Sequence, residues 1–150
     1  MTKVDEEGSP DVLLMNPNMA YVLYLQSEEA WHRYINDLSK LVKKEFTNSH
    51  RKVKKMLWYG QPHVFGPAHE GTPHLTEARN RLFSEWARPL IEEMGFVYLD
   101  TDRMTASRPE EAWDGLHFLR TGTAIWTGHV SASIGQLILN YVFEDCTSQH

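Results

Sequence analysis

Asp114, Gly115, Leu116 and His117 form the sharpest chemical feature of the chain. A carboxylate three residues ahead of a histidine, with a glycine between them, can bend back onto the imidazole. The aspartate then accepts the Nδ1 proton, fixes the tautomer and leaves Nε2 to act as a general base. Those are two of the three members of a nucleophilic triad. The same spacing also arises by chance, as a turn aspartate beside a surface histidine, so alone it names no reaction. A second set is His63, His69 and His74 with Glu70. These residue types suit zinc, but their separations do not fit the His-Glu-x-x-His helix signature. Plain loop residues are the leading reading, and no metal or cofactor is expected. Asn16, Gln61, His63 and Trp113 are the candidates for lining a pocket. Trp31, Trp58 and Trp86 stand at core spacing, Asp100 and Asp102 read as turn caps, and Cys146 has no catalytic setting.

These residues need elements to position them. Val12-Leu13-Leu14-Met15 lies between Pro10-Asp11 and Asn16-Pro17-Asn18, which is the pattern of a short buried strand. Ser27 is a good N-cap, followed by Glu28 and Glu29 at the positive end of a helix dipole. Trp31, Tyr34, Ile35, Leu38, Leu41, Val42 and Phe46 then make one apolar stripe, which Asn48-Ser49-His50 breaks. Met56 to Tyr59 reads as a second strand and Gln61 to Gly71 as a loop. Thr72 with Pro73 is expected to open a second helix, which Pro89 kinks and Gly95 ends. Phe96 to Leu99 is a third strand. A polar loop is expected from Arg103 to Gly128, then a last helix carrying Val130, Ile134, Leu137, Ile138, Tyr141 and Val142 on one face.

This order predicts an α/β fold with a parallel sheet. In such sheets the chemistry lies beyond the carboxyl ends of the strands, where the candidate residues cluster. Residues 1–10 read as a disordered acidic tail, 11–143 as one domain and 144–150 as a frayed tail.

Composition narrows the function classes. The 150 residues are 41% hydrophobic and 23% charged, as in a globular domain. A net charge of -5 argues against a general nucleic-acid binder. The run Lys40, Lys43, Lys44, Arg51, Lys52, Lys54 and Lys55 reads as a solvated surface at a helix end. One cysteine excludes an internal disulfide framework. No stretch approaches the roughly 20 apolar residues of a membrane span, and Met1 to Pro10 has no apolar signal-peptide core. The compartment is left unassigned.

Asp114-Gly115-Leu116-His117-Phe118, placed between a third strand and a final helix, resembles the last block of the SGNH (GDSL-type) hydrolase superfamily. Its branch with a PC-esterase-like domain is the most similar. Asp11 to Asn16 resembles that superfamily's central strand leading into its Gly-x-Asn block. The likeness runs from Pro10 to about Val142. It implies a three-layer, flavodoxin-like parallel sheet. It also implies an ester hydrolase or O-acyltransferase acting on acyl esters, such as O-acetylated glycans, in relatives that commonly work in the secretory pathway. His117 would be the base, Asp114 its orienting partner and Asn18 the oxyanion-hole amide. Another alignment puts Asn18 in the glycine place and Ala20 in the amide place.

The departures are as informative. The superfamily's serine comes from a Gly-Asp-Ser block, which this chain lacks. Ser9 precedes the first strand, and Ser131 and Ser133 follow the histidine. The first strand, first helix and second strand of the usual five-stranded fold would be absent. The chain alone is then expected to be inactive, and its alternative role is a non-catalytic binding or assembly module. Val12 to Met15 would become a bare sheet edge, suited to self-association.

Overall fold

The structure is a computed structural model that describes residues 11–16, 27–47, 53–66, 74–112, 114–118 and 128–144. Three short strands, β1 (Val12–Met15), β2 (Lys55–Tyr59) and β3 (Val97–Leu99), form one parallel sheet in the order β1-β2-β3. Leu13 lies opposite Met56, Met15 opposite Trp58, and Trp58 opposite Tyr98. The predicted α/β class with a parallel sheet is therefore observed, with three strands among the described residues.

Helix α1 (Glu28–Val42) begins where expected, with the Ser27 hydroxyl accepting from the Ala30 N–H. It continues into a π-helical turn, Lys43–Thr47. Helix α2 (Glu77–Glu93) starts later than the sequence suggests. Its N-cap is Thr76, which accepts from the Arg79 N–H at 3.2 Å. Thr72 and Pro73 lie outside the described residues. Pro89 is accommodated inside α2 on an exposed face, and Gly95 follows the helix with φ +93°, the left-handed conformation that a glycine stop supplies. The expected loop after β3 is not wholly irregular. It contains a short helix, α3 (Thr101–Thr105), capped by Asp100, and a 3-10 turn at Pro109–Glu111. Helix α4 (His129–Phe143) closes the described chain.

Strand alternation assigns the two sheet faces. Leu13, Met15, Met56, Trp58 and Tyr98 point to α1 and α2, which pack together there. The core on this side is built from Trp31, Ile35, Trp58, Phe83, Ile91 and Phe96. The opposite face is covered by α4, whose Val130, Ile134 and Ile138 join Tyr59, Phe65 and Phe118 in a smaller core. The Lys55 ammonium donates to the Tyr141 carbonyl at 2.6 Å and fixes the far end of α4 over β2. One helix cannot shield three strands. Leu57 at the centre is buried, but Leu14 on β1 and Val97 on β3 remain 47% and 41% exposed.

Candidate active site

The segment 114–118 straddles the carboxyl end of the sheet. Leu116 is buried in the core on the α1/α2 side, and Phe118 in the core beneath α4. Two apolar side chains on opposite sides of the sheet thus hold the residues between them above the strand ends. Gly115, with φ +80°, makes the turn. An isolated antiparallel bridge between Ala112 and Phe118 closes its base.

Within this turn the side chain of Asp114 is only 4% exposed. Its Oδ1 accepts from the backbone N–H of Leu116 at 2.9 Å and of His117 at 2.7 Å. Its Oδ2 lies 2.6 Å from His117 Nδ1. Burial pushes this carboxyl up. The bonds from the His117 ring and from the His117 and Leu116 N–H groups outweigh it, and the group falls from 3.8 to about 2. Asp114 is therefore ionised at neutral pH and holds Nδ1–H of the ring. The imidazole is 62% exposed, and Nε2 is left for another group.

The loop leaving β2 is tied to the same rim. The Gly60 N–H donates to the Leu99 carbonyl, and the Thr101 hydroxyl to the Gly60 carbonyl. Asn80 on α2 donates to the Pro62 carbonyl, and the Phe65 N–H to the Gly115 carbonyl at 2.9 Å. Gln61, buried at 5%, donates to the Asn16 side chain at 3.3 Å and so joins the exits of β1 and β2. His63 lies two residues from the Phe65–Gly115 junction. Its Nδ1 stands 3.0 Å from Asp102 Oδ1, across 39 positions of sequence. Asp102 reads as a turn residue in the sequence. The only signal for its pairing with His63 is that both follow strand ends.

Asn16, Gln61, His63, Asp114 and His117 thus all sit on segments leaving the carboxyl ends of the strands. Asn18 and Trp113 lie outside the described residues, as do His69, Glu70 and Ser9. No group of three or more metal-ligating side chains occurs among the described residues. The two serines of α4 are already engaged: the Ser131 hydroxyl donates to the Phe118 carbonyl at 2.7 Å, and the Ser133 hydroxyl to the His129 carbonyl at 2.9 Å. No described helix is long and apolar enough to cross a membrane.

Neither the family models, nor the curated proteins, nor the solved structures contain a match to this chain.

Proposed function

We propose that the chain is the carboxyl-terminal part of an SGNH-like α/β domain of the flavodoxin-like, three-layer kind, directed at acyl esters as an ester hydrolase or O-acyltransferase. One observation carries this reading: an ionised, buried Asp114 holds His117 Nδ1 at 2.6 Å and leaves Nε2 for chemistry above the strand ends. In the proposed reaction His117 Nε2 takes the proton of an attacking hydroxyl, whose oxygen bonds to the acyl carbon. Asp114 steadies the imidazolium that forms. The same proton then passes to the oxygen of the departing alcohol. Asn18 and backbone N–H groups would receive the negative charge on the acyl oxygen. In its full form the substrate class is an acyl ester, with O-acetylated glycans as the family resemblance suggests.

The attacking hydroxyl is the open part of the scheme. Ser131 and Ser133 spend their protons on backbone carbonyls. In this reading the serine is supplied by a segment outside the described residues or by a partner. Without it, the loss of a triad member costs several orders of magnitude in rate. A second reading, a non-catalytic assembly module on the same fold, is favoured by the outer edge of β1, which pairs with no further strand among the described residues, and by the exposed Leu14.

One measurement separates these readings, and a second tests the assignment of the nucleophile. The gene sequence preceding Met1 either encodes a strand followed by Gly-Asp-Ser, as the hydrolase reading expects, or does not, as the assembly reading expects. Turnover of an aryl acetate by the 150-residue chain is expected to stay near background. Robust turnover that survives replacement of Ser9, Ser131 and Ser133, yet is lost in His117→Ala, would overturn the assignment of the nucleophile.

A further inference from the structure

The His63–Asp102 pair takes no part in the scheme above, although its geometry parallels that of Asp114 and His117. We infer that His63, oriented by Asp102, is an oxyanion-binding group of the same site, whose Nε2–H donates to the oxygen that gains negative charge in acyl transfer. This inference rests on the acyl-ester reading.

Four observations support it. The first is location. Phe65, two residues after His63, donates its N–H to the carbonyl of Gly115, the neighbour of Asp114, so the two loops share one rim. The second is rigidity. The His63 N–H donates to the Thr105 hydroxyl at 2.7 Å, and that buried hydroxyl donates to the Thr101 carbonyl at 2.7 Å. The ring meets Phe65 edge-on, with centroids 4.6 Å apart, and its side chain is 13% exposed. A donor held this way needs little reorganisation when charge develops beside it.

The third observation is the state of the ring nitrogens. Nδ1 is taken by Asp102 at 3.0 Å. Nε2 has no hydrogen-bond partner among the described residues, on a side chain that keeps 13% of its surface exposed. With Nδ1–H held by the carboxylate, Nε2 donates only when the ring carries its second proton, so the role assigned here belongs to the imidazolium form, whereas the base His117 acts from its neutral form. The fourth is redundancy. The loop is already fastened through backbone groups of Gly60, Pro62, His63 and Phe65. Fixing the loop therefore leaves the pairing of the ring with Asp102 unexplained.

The test uses the whole chain with its histidine rings labelled with nitrogen-15. It is titrated with methylphosphonate, a tetrahedral oxyanion, at a series of pH values between about 5 and about 8, the range in which imidazoles change charge. The expected result is a saturable movement of the His63 Nε2 signal together with that of His117, while His32 and His129 stay in place. His63→Gln and Asp102→Asn should each weaken binding about tenfold, the effect of one charge-assisted hydrogen bond. The wild-type titration does not depend on how either variant folds. Movement of His117 with a motionless His63, or undiminished affinity in folded His63→Gln, would overturn the inference and leave the acyl-ester reading standing. Motionless rings at both positions would overturn the two together.

Discussion

Replacing Asp114 by Asn keeps the shape of the turn and removes its charge. The amide oxygen can still accept from the Leu116 and His117 N–H groups. The amide nitrogen now faces His117 Nδ1 as a donor, so the ring must keep its proton on Nε2, the wrong tautomer for a base. The stability change follows from the carboxyl group itself. Burial raises it, the three hydrogen bonds lower it more, and it falls from 3.8 to about 2. That difference corresponds to about 2 kcal/mol. The side chain is 4% exposed but lies at the rim beside the 62% exposed imidazole, so solvent screens part of this contribution and about 2 kcal/mol is its upper bound. Because the folded-state value is depressed, the contribution is fully present above the unfolded value of 3.8 and is lost as pH falls toward 2. Urea unfolding of wild type and Asp114→Asn should therefore differ by up to about 2 kcal/mol at pH 7, and the gap should narrow steadily as pH falls below about 4. A gap that is constant across this range, or that is absent at pH 7, would refute the claim that Asp114 is held as a buried, hydrogen-bonded anion.

Other substitutions test the frame around it. Gly115→Ala forces a side chain into φ +80° and should cost about 1–2 kcal/mol, read as a lower melting temperature. Leu116→Ala removes the anchor on the α1/α2 side; it should cost about 2–4 kcal/mol and perturb the His117 ring resonances as the loop loosens. Gly60→Ala would bring Cβ to 2.8 Å from the Leu99 carbonyl oxygen, so β2 and β3 must move apart and thermal stability should drop. Leu14→Lys places a charge on the exposed part of the β1 face and should reduce self-association in sedimentation runs at high concentration.

Local chemistry was the legible part of this chain. Val12–Met15 is bounded by turn residues on both sides, and Ser27 precedes an unbroken apolar stripe; both elements lie where those signals put them. The Asp114–His117 contact was also readable, because three residues around a glycine leave few ways to fold. The start of α2 was not. Thr72-Pro73 and Thr76-Glu77 are competing caps, and burial of Leu75 ahead of the helix favours the later one. Helix α3 has only five residues and no apolar period; it is held by the Asp100 cap and by the hydroxyl bonds of Thr101 and Thr105. The pairing of His63 with Asp102 depends on the relative height of two strand ends, which no local pattern encodes.

Under the proposed function, Asp114 and His117 are a catalytic dyad that awaits a hydroxyl. The most direct test adds, in trans, a peptide that carries an apolar strand ending in Gly-Asp-Ser, able to pair with Val12 to Met15, and follows aryl acetate hydrolysis. The account predicts near-background rates for the chain alone and for the peptide alone. With both present, turnover should appear and should be lost in His117→Ala. Turnover by the mixture that is indifferent to His117→Ala would contradict the account.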